Sequence, residues 1–194
     1  MAASPDSSIA RKLDTIFLDR DGVLNHKMPE GCYVTSWADF HVLPGVPEAL
    51  ARLNRAGMRV IVLSNQRGIA LGLCTAAEVE AIHACFHDLL KPYGAHVDAF
   101  YFCPHDTQEC NCRKPLPGMF EQAKDDFPEI DAATSVMIGD SLSDVEFGRR
   151  LGMLTVFIDG DPKRQKNGAD KAGKLADMRF PSLAAAVDAL LSGR

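Results

Sequence analysis

Two aspartates, Asp19 and Asp21, stand two residues apart in Asp19-Arg-Asp-Gly-Val23, directly after the apolar run Thr15-Ile-Phe-Leu18. With Gly22 free to make a sharp turn, carboxylates at this spacing can converge on one point. Two carboxylates so placed repel, share a proton or bind a hard divalent cation. With a cation they suit attack on phosphorus: Asp19 would form an aspartyl-phosphate, and Asp21 would protonate the leaving oxygen and then activate water. Taken alone, the same residues also describe an Asx-rich turn at a strand end.

Three further groups supply what phosphoryl chemistry needs. Ser64, in Val62-Leu-Ser-Asn65, offers a hydroxyl beside backbone N–H groups that can hold phosphoryl oxygens. Lys114, in Cys112-Arg-Lys-Pro115, offers a cation, and Arg113 beside it suits bidentate contact with phosphate. Gly139-Asp-Ser-Leu-Ser-Asp144 carries carboxylates four residues apart. Asp140 would complete a magnesium sphere and Asp144 would orient it or a bound water, although either can also cap a helix. Separately, Cys103-Pro-His105 and Cys110-Asn-Cys112 bring three thiols and an imidazole into ten residues. That set matches a closed structural zinc site, with a free cysteine cluster or a strained disulfide as the alternative. Because Arg113 and Lys114 follow Cys112 directly, fixing the thiolate would fix where both cations point.

These residues need elements that bring them to one place. The run at Thr15 is a buried strand. Pro44-Gly-Val-Pro47 opens a helix with Val46, Leu50 and Leu53 at helical spacing, and Val60-Ile-Val-Leu63 is a second buried strand. Thr75 and Glu78 form a capping box for a helix whose apolar face is Val79, Ile82, Phe86, Leu89 and Leu90. A strand over Ala99 to Phe102, a helix over about Pro117 to Phe127 and a strand over Ser135 to Ile138 follow. After them come a helix over about Ser143 to Leu151, a strand over Leu154 to Ile158 and a helix near Ser182 to Leu191. Strands alternating with helices imply an α/β fold, a Rossmann-like three-layer parallel sheet with helices on both faces. In such sheets the chemistry sits at the carboxyl ends of strands. Asp19, Ser64, Cys103 and Asp140 each fall at or just past such an end. The segments between them leave no room for a large cap domain.

The 194 residues suffice for one domain, expected over 13–194 after a disordered tail at 1–12, with the zinc loop at about 103–112. A net charge of −5 argues against nonspecific binding to nucleic acid or anionic membrane, so an anionic substrate needs a local positive pocket. No apolar run is long enough to span a bilayer, and the start is too polar for a signal peptide. A cytoplasmic monomer acting on a small phosphorylated substrate is expected. His41, His83, His87 and His96 carry no pattern and read as structural or surface residues; Cys32, Cys74 and Cys85 read as packing residues.

The order carboxylate pair, hydroxyl, lysine, acidic pair at successive strand ends resembles the four-motif signature of the haloacid dehalogenase-like superfamily from about Thr15 to Asp159. The resemblance implies Asp19 as nucleophile and Asp21 as acid/base. It also implies magnesium on Asp19, Asp21 and Asp140, with the Arg20 peptide carbonyl as a further contact. The cysteine loop, Asp19-Arg-Asp-Gly-Val-Leu-Asn25, Ser64-Asn-Gln66, Gly68-Ile-Ala70 and Lys114-Pro-Leu-Pro-Gly-Met119 are similar to one group within it. That group holds the D-glycero-D-manno-heptose 1,7-bisphosphate 7-phosphatases and the histidinol-phosphate phosphatases, and the Lys114 string resembles the heptose enzymes more. By the same resemblance, substrate touches Asn25 and the loop to Tyr33, Ser64, Asn65, Gln66, Arg67, Arg113 and Lys114. The chain departs from the pattern in having Leu71 where arginine is common, Ser64 where threonine is common, and a shorter gap between His105 and Cys110. A histidinol-phosphate phosphatase and a non-catalytic zinc-binding interaction module are the competing readings.

Overall fold

Among the described residues six parallel strands form one sheet, the first five from largely apolar runs: β1 (Thr15–Leu18), β2 (Arg59–Asn65), β3 (Ala99–Cys103), β4 (Ser135–Gly139), β5 (Leu154–Ile158) and β6 (Met178–Phe180). Their order is β3-β2-β1-β4-β5-β6, the doubly wound order whose crevice opens beside the first strand. The computed structural model describes residues 12–165 and 167–192, so the expected tail lies outside the described residues apart from Lys12.

Side chains alternate across the sheet, and that period decides which helix covers which face. Ile16, Leu18, Val60, Val62, Val136 and Ile138 point into one apolar cluster with Leu50 and Leu53 of α1 (Val46–Arg55), Phe86 of α3 (Ala76–Leu90) and Leu183 and Val187 of α7 (Leu183–Ser192). Phe17, Ile61, Leu63 and Met137 point the other way, against Phe120 of α4 (Gly118–Asp126) and Phe147 of α5 (Leu142–Leu151). The expected capping box opens α3, with Glu78 N–H on Thr75 Oγ1 at 3.2 Å and Thr75 N–H on Glu78 Oε2 at 2.7 Å. Three elements lack a sequence signal: the one-turn α2 (Arg67–Ala70), α6 (Ala169–Leu175) and the edge strand β6. Each is too short, or too interrupted by glycine and charge, to show a period. Between β1 and β2 the chain makes a 3-10 turn at Trp37–Asp39 and α1; between β2 and β3 it makes α2, α3 and a 3-10 turn at Lys91–Tyr93. Among the described residues, no helix is long and apolar enough to cross a membrane.

One expectation for isolated residues changes, and that for His83 becomes specific. Cys74 is buried, but Cys32 and Cys85 are exposed and take no part in the core. His83 is a core residue, stacked on Phe100 with ring centroids 4.5 Å apart, and its Nε2 is buried without a hydrogen-bond partner. Burial, with the nearby Arg20 charge, lowers its pKa from 6.5 to about 3. The unfolded chain therefore takes up a proton that the fold refuses. Stability is unaffected above pH 6.5 and falls as pH drops from there toward 3, by up to about 1.4 kcal/mol per pH unit from this residue. A His83→Leu variant is expected to flatten that slope in urea unfolding measured between pH 7 and pH 4. An unchanged slope would remove His83 as its source.

Candidate active site

Register levels the ends of the central strands. Thr15 lies opposite Arg59 on one side and Ser135 on the other, and Leu18 opposite Val62 and Ile138. Asp19, one residue beyond, donates its N–H to Ile138 O at 2.9 Å and so stands beside Gly139 and Asp140. Into this gap reaches Lys114, 95 residues away in the chain. Its Nζ donates to Asp19 Oδ1 at 2.9 Å and to Leu63 O at 2.6 Å, and lies 2.7 Å from Asp144 Oδ1. Three contacts match the three N–H groups of an ammonium. Burial disfavours this charge, yet Asp144 and Asp19 together outweigh it and hold Lys114 above the ordinary lysine range. Asp19 moves upward from the ordinary carboxylate range, through its own burial first and the Asp144 and Asp21 charges next, with Lys114 opposing.

Asp144 has a second duty. Its Oδ2 accepts from Ser141 N–H at 3.0 Å and from Ser141 Oγ, which caps α5. It therefore anchors Lys114 to the start of a helix, where a carboxylate is favoured by the exposed N–H groups. Gly139 must be glycine here, because an added Cβ would sit 2.2 Å from Asp144 Cβ. Gly22 has φ +101°, and an added Cβ would sit 2.0 Å from Asp140 Oδ2. The sharp turn expected at that residue is thus required twice, by backbone conformation and by space.

Asp21 points into a different set of partners. Arg20 is almost fully buried and donates Nη2 to Asp21 Oδ2 at 3.0 Å and to Gln66 Oε1 at 3.0 Å. Asn25 Nδ2 reaches Asp21 Oδ1 at 2.9 Å, and Gln66 Nε2 reaches Asp21 Oδ2 at 3.1 Å and also Ser64 Oγ. Burial acts to raise Asp21, but Arg20 with the Asn25 and Gln66 hydrogen bonds brings it below the ordinary range. Asp21 is thereby oriented and held in its basic form, while Ser64, accepting from Gln66, keeps its own O–H to donate. The buried Arg20 side chain has almost no sequence signal apart from its place between two acidic neighbours, whereas Gln66, expected at the substrate, braces Asp21.

A divalent cation fits beside Asp19. Asp19, Asp140 and Asp144 each offer an oxygen within 4.8 Å of the others. Asp140 Oδ1 is buried with no hydrogen-bond partner, while its Oδ2 is paired with Lys27. A carboxylate with an unpartnered oxygen, close to two further carboxylates, is the donor set that a hard cation prefers. Burial raises Asp140 to about 7, against the pull of Lys27. Of the expected ligands, Asp19 and Asp140 lie in this group with Asp144, and the Asp21 side chain pairs with Arg20, Asn25 and Gln66. The Arg20 carbonyl accepts Val23, Leu24 and Asn25 N–H at 3.3, 2.8 and 3.3 Å and is occupied in closing the turn.

The cysteine loop gathers as expected. Sγ of Cys110 lies 3.4 Å from Sγ of Cys103 and 3.3 Å from Sγ of Cys112. His105 Nδ1 lies 3.4 Å from Cys112 Sγ and 3.8 Å from Cys103 Sγ. Bonds of about 2.0–2.3 Å to a tetrahedral zinc give ligand separations of about 3.5–3.8 Å, so these distances suit that ion.

The other expected substrate contacts divide. Asn65 clamps the Lys114 peptide, with Nδ2 on Lys114 O at 3.1 Å and Oδ1 accepting Lys114 N–H at 3.0 Å. Asn25 is fully buried and braces Asp21. Arg113 Nη1 turns to His105 O at 3.3 Å, and Arg67 remains at the rim with its side chain 44% exposed.

A sequence profile of the HAD-hydrolase-like family matches residues 111–186. The chain is 36% identical over 169 residues to D-glycero-alpha-D-manno-heptose-1,7-bisphosphate 7-phosphatase of Mycobacterium tuberculosis, covering 87% of this chain and 86% of that one. It is 38% identical over 183 residues to the D-glycero-beta-D-manno-heptose-1,7-bisphosphate 7-phosphatase of Escherichia coli, covering 88% and 94%. The crystal structure of D,D-heptose 1,7-bisphosphate phosphatase from B. bronchiseptica, complexed with magnesium and phosphate, superposes with a TM-score of 0.84 at 34% identity, over 94% of this chain and 100% of that one.

Proposed function

Because the chain belongs to the D-glycero-D-manno-heptose-1,7-bisphosphate 7-phosphatase family of haloacid dehalogenase-like hydrolases, we propose that it removes the 7-phosphate of D-glycero-D-manno-heptose 1,7-bisphosphate with magnesium as cofactor. The observation that carries the chemistry is the buried Lys114 ammonium shared by Asp19 and Asp144, with the unpartnered Asp140 oxygen beside it. Asp19 and Asp140, with Asp144 close by, would hold magnesium, which when bound supplies charge neutralisation for the phosphoryl oxygens.

The chain's own residues perform the steps. The Ser64 hydroxyl holds a phosphoryl oxygen, and the Lys114 charge, fixed by Asp19, Leu63 and Asp144, attracts the phosphoryl group and helps place phosphorus before Asp19. The free Asp19 oxygen attacks phosphorus as the bond to the substrate oxygen breaks, and that oxygen takes a proton from Asp21. Asp21, now a carboxylate held by Arg20, Asn25 and Gln66, removes a proton from water. The resulting hydroxide displaces Asp19 from phosphorus, releasing phosphate and restoring both carboxyl groups. Since Asp21 is held basic in the free protein, a phosphate dianion beside it is what raises it enough to carry the first proton.

The test is phosphate release with magnesium from both anomers of the heptose bisphosphate, from fructose 1,6-bisphosphate and from histidinol phosphate. The highest kcat/KM is expected on a heptose anomer. Preference for histidinol phosphate would overturn the substrate, and no release from any of them would overturn the enzyme reading.

The cysteine loop is read as a structural zinc site in a cytoplasmic enzyme, since its cysteines are unpaired by disulfides. Zinc there holds Cys112, and through it the Arg113-Lys114 arm. Stripping the loop metal and restoring magnesium alone is expected to lower activity about 10- to 100-fold, with recovery on adding zinc. A stripped, folded protein of full activity would separate the loop from catalysis.

A further inference from the structure

Arg67 opens α2 one residue past Gln66, so it stands at the edge of the phosphoryl centre. Its guanidinium forms a fork on Asp106, Nε to Oδ1 at 2.7 Å and Nη2 to Oδ2 at 3.0 Å. Tyr33, from the loop after β1, adds a smaller electrostatic attraction. Asp106 directly follows the zinc-loop His105 and is itself fixed, accepting Thr107 N–H at 2.6 Å while its own N–H reaches Glu109 Oε2 at 2.9 Å. On the other side, Arg113 donates to the His105 carbonyl. Two adjacent loop residues thus hold two arginines, both partly exposed and each next in sequence to a residue of the site, Gln66 or Lys114.

An exposed ion pair adds little to stability, but a fork fixes the plane and direction of a guanidinium. The pair uses Nε and Nη2 and leaves Nη1 outside it. A sugar bisphosphate carries a second phosphate away from the scissile bond, and a planar multi-donor cation held in place suits it without being ordered on binding.

We infer that Asp106 is a positioning residue, holding Arg67 at the rim to receive the phosphate that is not cleaved. This rests on the bisphosphate reading above. Charge and geometry predict opposite effects, which makes the inference sharp. Coulomb repulsion alone says that an aspartate near the site weakens binding of an anion, so its removal lowers KM. Positioning says that its removal raises KM.

The experiment compares Asp106→Ala, Asp106→Glu and the parent protein on the heptose bisphosphate and on p-nitrophenyl phosphate, with bound zinc measured in each. Asp106→Ala is expected to raise KM for the bisphosphate about three- to tenfold with kcat within about twofold, and to leave KM for the monoester in place. Asp106→Glu, which keeps the carboxylate, is expected to recover most of the loss. A lowered or unchanged KM would overturn the inference, as would equal losses on both substrates or loss of zinc. Failure of the parent protein itself to cleave the bisphosphate would overturn the proposed function and this inference together. Cleavage by the parent with no effect of Asp106→Ala would overturn this inference alone.

Discussion

Replacing Asp19 with Asn is expected to reduce phosphate release by about 10⁴-fold or more, because the amide has the shape of the nucleophile without its reactive oxygen pair. The fold should survive. Asp19 is a carboxylate that burial and two like charges already disfavour, so a neutral amide relieves repulsion as well as losing attraction. Lys114 keeps the Leu63 carbonyl and Asp144, and the amide oxygen of the variant side chain can still accept its third N–H. Stability measured by urea unfolding should therefore change by no more than about 1–2 kcal/mol. Rapid-quench trapping should find phosphoenzyme in the parent protein and none in the variant. Substantial turnover by Asp19→Asn, after excluding deamidation by mass spectrometry, would remove Asp19 as nucleophile.

Replacing Lys114 with Met is expected to damage both activity and fold. The side chain is about 1% exposed, so its loss leaves Asp19 and Asp144 buried without the cation between them. Removing one partner of a buried ion pair costs about 3–5 kcal/mol. The sign of its pH dependence is specific. With the cation gone, the folded-state pKa of both carboxyl groups rises, so the fold binds protons that the unfolded chain does not near neutrality. The deficit relative to the parent protein should therefore shrink as pH falls from 7 toward 5. Adding Asp144→Asn should recover stability without activity, because it removes one buried charge but restores no phosphoryl ligand. A pH-independent deficit would mean that lost packing rather than unpaired charge is the cause. Lys114→Arg is expected to be inactive too, since a planar fork cannot reproduce three contacts from one nitrogen.

The chemistry and the architecture share one origin in the sequence. Apolar runs such as Thr15–Leu18 and Val60–Leu63 end at polar residues, and parallel sheets collect strand ends on one edge. That is enough to bring Asp19, Ser64 and Asp140 together on one edge. The cysteine loop is equally legible, since its ligands lie within ten residues and local chain geometry limits where they can go. The elements without a signal, α2, α6 and β6, carry too few residues to display a period; α6 and β6 contribute little to the site, whereas α2 begins with Arg67.

What stays hidden in the sequence is the partnership of side chains. Asn65 and Gln66 look like substrate contacts beside Ser64, yet one clamps the Lys114 peptide and the other braces Asp21. Whether Asp21 or Asp144 stands with Asp19 and Asp140 depends on a turn closed over the Arg20 carbonyl and on where α5 begins. The Arg67–Asp106 fork spans 39 residues and crosses between two loops. Residue type and spacing alone determined which groups could carry phosphoryl transfer and near which strand ends they lie, because hydrophobic period and motif spacing are local. Strand register and loop closure decided which of those groups touch, because hydrogen bonds and ion pairs act over a few ångströms between residues that the chain alone leaves far apart.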